Sequence, residues 1–315
     1  MSEEKARLME AFWRAIRKLE AKRKSKIFCL IHCPDDGGHI CDSMIWQTLS
    51  ERDKFQNLGT LELLLHTPGG SADIAYQVVR FLRRHCKTLN IIVPLLAKSA
   101  GTLMCLGADA IYMGELGELG PIDVQISDPI EKGSKSISPL DEFKSAEFLR
   151  DYAVEILDIF TLLIVRRSGM SLKESLHESL HFTTEIMRPL YEQLDPLEIG
   201  EYKRALAIGE EYGDRLLAMT KNPHRKLISQ ALLSKYPSHG FVIDRVEART
   251  LGLPVHALDS AQETMFLSAL TSILRMGESV YGFGKMPTSK PAARLVRKKQ
   301  VAAPKTAATP IAAAG

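Results

Sequence analysis

Two stretches of the chain set small and polar residues directly behind apolar runs, where such residues can do chemistry. In HTPGGSAD, Pro68-Gly69-Gly70 follows the apolar TLELLLHT (60–67); in AKSAGT, Ser99 follows NIIVPLLA (90–97). Consecutive glycines let backbone approach another molecule closely and leave N–H groups pointing outward. A serine between a strand and a helix places its hydroxyl among free N–H groups that favour developing negative charge. Each has an ordinary reading as well: PGG as a turn, and Ser99 as a helix N-cap. Their joint occurrence about 30 residues apart, strand-turn-helix both times, is more specific. One junction can then supply a nucleophile and the other an oxyanion donor.

The elements that must position them alternate along the first half. Residues 4–22 carry apolar positions at helical spacing, and IFCLIH (27–32) reads as a strand. PDDGGHICD (34–42) reads as a loop, DSMIWQTLSERDKF (42–55) as a helix, and SADIAYQVVRFLRRHC (71–86) as another. Strand 90–97, helix 99–108 and strand 110–114 complete the pattern. Continuous apolar strands separated by helices predict an α/β fold with a mostly parallel sheet covered on both faces. In such a sheet, successive strand-to-helix loops meet at the C-terminal edge. Beyond about residue 139 the character is helical (140–169 and 171–221), followed by a strand at 239–245 and a helix at 259–277. The expected organisation is an N-terminal helix (1–25), a catalytic domain (26–278) with a helical region (140–221), and a disordered basic tail (279–315).

Seven of the 41 basic residues and none of the 38 acidic ones lie from Lys285 onward, so residues 1–284 carry a net charge of about −4. That balance argues against a nucleic-acid-binding body. No apolar run suits a signal peptide or a membrane span. Five cysteines without a secretion signal are read as reduced thiols, and the expected location is cytoplasmic.

TPGGSADIAYQVVRFLR (67–83) and AKSAGTLMCLGADAIYMGELGELGPID (97–123) resemble the superfamily of the Clp protease subunit, signal peptide peptidase A and crotonase. With YPSHGFVIDRVEARTLGL (236–253), the nearest branch is identified as the serine dehydrogenase proteinase family. The resemblance implies a repeated β-β-α superhelical core with a helical extension, and a serine peptidase acting on peptides or proteins. It implies Ser99 as nucleophile, the Gly70 and Ala100 N–H groups as oxyanion hole, and Gly69, Gly101 and Asp123 as residues shaping the site. Homo-oligomers with packed helical extensions are also implied.

The general base is open. A serine hydroxyl needs a neighbour to take its proton. The Clp-type histidine is missing, since no His lies between His85 and His177. The signal peptide peptidase branch uses a lysine, and Lys144 at the start of helix 140–169 is the favoured candidate over Lys135 and Lys132. A lysine serves only if burial or positive neighbours bring its pKa toward neutrality. Lys98 is discounted, because adjacent residues rarely point the same way. His239 is left as structural or site-lining. Neither cofactor nor metal is expected. His32, Cys33, His39 and Cys41 lack the spacing of a common zinc module. His177, Glu178 and His181 match HExxH, but on a polar, Leu-spaced helix with no evident third ligand. A crotonase-type acyl-CoA enzyme and a non-catalytic scaffold remain alternatives.

Overall fold

The computed structural model describes residues 3–56, 58–122 and 139–284, and of residues 139–144 the backbone alone. Lys132, Lys135 and Asp123 lie outside the described residues.

The core is a parallel sheet. Strands β1 (Lys26–Ile31), β2 (Leu58–His66), β3 (Cys86–Val93), β5 (Ala110–Met113) and β7 (Val255–Ala257) run parallel, in the order β7-β5-β3-β2-β1. An antiparallel strand, β8 (Val280–Gly282), closes the β1 edge. Pro94 interrupts the run read as one strand at 90–97, because proline has no N–H for the ladder. The chain leaves the main sheet there and forms β4 (Leu96–Ala97), which pairs with β6 (Glu118–Leu119) as a separate two-stranded sheet.

Helices cover both faces, which is why the strands are apolar without alternation. On one face lie α1 (Glu3–Arg23) and α10 (Ser260–Met276); Phe12, Trp13 and Ile16 bury against Phe266 and Ile273, beneath Ile27, Cys29 and Leu64. The first helix is therefore continuous with the sheet's core. The other face carries α2 (Ser43–Ser50), α3 (Ala72–His85), α4 (Ala100–Cys105), α7 (Pro196–Met219), α8 (Arg225–Ser234) and α9 (Arg245–Thr250), over Leu61, Leu63 and Ile91. Helices α5 (Pro139–Ser168) and α6 (Leu172–Tyr191) pair with each other, and α5 also meets α7. A capping box between Ser171 and Glu174 starts α6.

Two expectations need correction. The strand expected at 239–245 is a single bridge, Ile243 with Leu119, before α9 begins. The body also does not end at residue 278: β8 belongs to the sheet and lies within the stretch expected to be tail.

One buried charge pair ties the layers together. Glu62, on the α1/α10 face of β2, accepts from Arg23 Nε at 2.6 Å and Nη2 at 2.7 Å, and from Ser25 Oγ at 2.8 Å. The Arg23 guanidinium lies over the Tyr112 ring and also reaches Gln262 on α10.

Candidate active site

The C-terminal ends of β1, β2 and β3 bring three loops together: 32–42, 67–71 and 94–99. Thr67 couples the second to the third. Its N–H donates to the Leu96 carbonyl (2.9 Å), and its own carbonyl accepts from Lys98 N–H (3.1 Å). Gly101 lies so close that a Cβ there would stand 2.5 Å from Thr67 Cγ2. That contact explains a glycine inside α4.

Ser99 opens α4 in a conformation that side chains rarely adopt, with φ 49° and ψ −115°. Such strain costs on the order of 1–3 kcal/mol and persists where surrounding structure enforces it. The residue is buried, and its side chain does not cap α4. Ser71 shows the contrast: its hydroxyl caps α3 by accepting from Ile74 N–H. The Ser99 hydroxyl has no hydrogen-bond partner among the described residues, so none of their side chains stands as a base in contact with it.

Gly69 and Gly70 face it with φ values of 121° and 135°. Loop 32–42 fixes their direction. Ile40 N–H donates to the Gly69 carbonyl (2.8 Å), and Ser71 N–H donates to the Ile40 carbonyl (2.9 Å). Both bonds use the residues flanking Gly70, so Gly70's own N–H is directed away from Ile40, as parallel pairing requires. The Ala100 N–H belongs to the first turn of α4, where no intrahelical acceptor exists. Among the described residues neither the Gly70 nor the Ala100 N–H has an acceptor. These are two free donors beside one unpartnered hydroxyl, the elements of acyl-transfer chemistry.

Ser99 opens into a cleft of about 630 Å³ whose lining includes Gly70, His39, Asp42, His239 and Ile208. Two imidazoles therefore share the cleft with the serine. His39 Nδ1 lies 2.9 Å from the Gly37 carbonyl. In the sequence His39 stands out only within a His/Cys group that lacks zinc-module spacing, and the pairing of Ile40 with Gly70 shows why it lines this cleft. Lys98 is turned elsewhere: its ammonium donates to the carbonyls of Phe241 (3.0 Å) and Leu119 (3.2 Å) and lies 3.3 Å from a Glu118 carboxylate oxygen. It clamps the 236–243 segment over β6. Lys144 lies in the first turns of α5, and its side chain is outside the described residues.

The suspected metal ligands do not gather. His32 Nδ1 pairs with Thr67 Oγ1 at 2.7 Å, and Cys41 Sγ lies 3.2 Å from Ser43 Oγ. His177, Glu178 and His181 are exposed on α6, whose buried side is Ser175, Ser179 and Thr183. Among the described residues no three His, Cys, Asp or Glu side chains stand together as a metal site, and no helix is long and apolar enough to cross a membrane.

Residues 2–166, just over half of the chain, match the family described as ClpP-like SDH-type serine proteinase. Two curated proteins of Methanocaldococcus jannaschii, described as uncharacterized proteins MJ0137 and MJ1495, are 31% and 30% identical over 153 and 122 residues. The matches cover 46% and 36% of this chain and 52% and 41% of those proteins, so the chain spans about half, or less, of the curated relatives it matches. A solved structure described as the 1510-N membrane-bound stomatin-specific protease S97A mutant is similar at 20% identity, with a TM-score of 0.28, over 48% of this chain and 68% of that one.

Proposed function

Because the chain belongs to the ClpP-like SDH-type serine proteinase family, we propose that it hydrolyses peptide bonds with Ser99 as nucleophile and the Gly70 and Ala100 N–H groups as oxyanion hole. The observation that carries this reading is the strained, uncapped Ser99 set against Gly69-Gly70, with two free N–H donors beside it.

In this mechanism the Ser99 Oγ attacks the substrate carbonyl carbon while a base takes its proton. The carbonyl oxygen becomes an oxyanion between the two N–H groups, whose positions are set before the reaction begins. Collapse expels the amine with that proton and leaves an acyl-serine, which water resolves by the same route. Gly69 and Gly101 let the two loops approach each other closely enough for this. Lys144 is the proposed base, with Asp123 and the Gly120-Pro121 turn shaping that side. A second reading, with His239 or His39 as base, is favoured by their lining the same cleft. The wider proposal is a Clp-like superhelical repeat, to which the small β4–β6 sheet beside the main sheet lends support. It includes a cytoplasmic homo-oligomer assembled through the α5–α6 region and acting on peptide or protein substrates, with the residues that follow β8 as a tail.

A fluorophosphonate probe tests the core of the proposal. Wild-type protein is expected to be labelled, and Ser99→Ala is not. Lys144→Ala, His239→Ala and His39→Ala then identify the base: its loss slows labelling by about 10²-fold or more and flattens the pH profile. Unlabelled wild type, or labelling that survives Ser99→Ala, overturns the reading. Acyl-CoA turnover insensitive to Ser99→Ala would point to crotonase-type chemistry instead.

A further inference from the structure

Two successive glycines at positive φ make the 68–70 loop soft, since nothing in their side chains opposes rotation of the intervening peptides. An oxyanion donor works only if its direction is fixed in advance. Ile40 restrains one side of the loop; the other side is held from within the core. Thr67, fully buried, receives the Gly69 N–H on its hydroxyl oxygen at 3.1 Å. The same oxygen lies 2.7 Å from Nδ1 of His32 and 3.4 Å from the Gly69 carbonyl oxygen.

We infer that Thr67, oriented by His32, is a positioning residue for the oxyanion hole: its hydroxyl holds the Pro68–Gly69 peptide through the Gly69 N–H and faces the Gly69 carbonyl, which shares a peptide plane with the Gly70 N–H, and so sets the direction in which that N–H points. The inference rests on the reading of Ser99 and Gly70 given above. A hydroxyl offers one proton and two lone pairs, and the three contacts use that capacity. Gly69 N–H takes one lone pair; the His32 ring is the strong partner that selects one rotamer of the threonine. Burial lowers the His32 imidazole to about 4, with the nearby His39 acting in the same direction, so the ring stays neutral and hydrogen-bonds without charge. Thr67 is also the residue whose backbone bonds straddle Ala97, one step from the Lys98-Ser99 turn. It therefore fixes the donor loop and the nucleophile turn relative to each other. Neither residue touches the cleft or the reacting atoms, so both act through Gly69.

The test compares Thr67→Val, which keeps shape and loses the hydroxyl, with Thr67→Ser, which keeps the hydroxyl. His32→Ala and His32→Asn form a second pair, the asparagine offering a polar group near the position of Nδ1. Folding is checked by circular dichroism, Ser99 by fluorophosphonate labelling, and turnover with a fluorogenic peptide. Thr67→Val is expected to lower kcat by about 10- to 100-fold, approaching the loss of one oxyanion donor, with KM within about twofold. Thr67→Ser is expected to return most of the loss, and His32→Asn to exceed His32→Ala in kcat. A folded Thr67→Val with wild-type kcat, or a loss carried by KM alone, overturns the inference while leaving the Ser99 reading intact. If Thr67→Val does not fold, His32→Ala with unchanged kcat overturns it equally. Absence of Ser99 labelling in wild type removes both.

Discussion

Gly69 and Ser99 stand so close that a Cβ on the glycine would lie 2.9 Å from the serine's Cβ and 3.1 Å from the Lys98 carbonyl oxygen. At Gly70 the obstacle is backbone on the opposite side, with Ile40 O only 2.3 Å from such an atom. The loop is pressed between the Lys98-Ser99 turn and the 32–42 segment, and only glycine fits at either place.

Gly69→Ala and Gly70→Ala are both expected to lose at least tenfold in labelling of Ser99, since each must displace a neighbour that sets the site. Their positive φ adds on the order of 1–3 kcal/mol of destabilisation. Urea denaturation beside labelling rates separates the two effects. Wild-type labelling of a folded Gly70→Ala protein would contradict this account of the loop.

Lys98 is expected to behave as a clamp. Lys98→Met removes donors to Leu119 and Phe241 and should destabilise by about 1–3 kcal/mol, while Ser99 remains labelled at a reduced rate. A complete loss of labelling with full thermal stability would instead make Lys98 the base.

Breaking the buried pair of Glu62 and Arg23 leaves a charge without its partner. Arg23→Ala is expected to destabilise by about 3–5 kcal/mol, read by denaturant midpoints at constant m-value. Arg23→Met with Glu62→Leu should recover much of that loss, because both charges leave together. Failure of the double variant to exceed the single one would mean that the pair's hydrogen bonds to Ser25 and Gln262 matter more than its charges.

Acid should weaken the fold through two rings. Burial holds both His32 and His66 at about 4, below the ordinary imidazole value of 6.5. The unfolded chain therefore binds these protons more readily. Stability is complete above about pH 6.5 and falls as pH drops toward 4, by up to ~3 kcal/mol per ring. Equilibrium unfolding at pH 7.5, 5.5 and 4.5 measures the slope, and His66→Asn should shallow it. A flat profile over that interval would show that the rings are hydrated.

The parallel sheet was legible because strands buried on both faces leave unbroken apolar runs, as at 27–32 and 60–67. Ser99 and Gly69-Gly70 were legible because each stands directly behind an apolar strand run, and the paired glycines mark a backbone that other residues rarely adopt. Strands β4, β6, β7 and β8 span two or three residues each, too few for any periodicity, and exist because neighbouring elements pack them there. The part played by 32–42 was hidden for another reason. Ile40 acts through its main chain, so the sequence there displays only histidines and cysteines whose spacing fits no common metal site. His32 and Thr67, 35 positions apart, carried no shared pattern that would have paired them.

The sheet's last strand has a further consequence for biosynthesis. Ser279, just ahead of β8, donates its N–H to Asp36 at 2.5 Å and its hydroxyl to the other carboxylate oxygen at 2.9 Å, and accepts from Cys33 N–H at 2.9 Å. It thereby braces the segment that lies over Gly70. A nascent chain carries Ser99 out of the ribosome about 180 residues before that brace exists, and contacts so distant in sequence form late. Until β8 arrives, β1 presents an open edge to other chains. The cleft at Ser99 is thus among the last parts of the body to become rigid during synthesis, and a polypeptide terminated before Ser279 would have a loosely held cleft and be prone to aggregate.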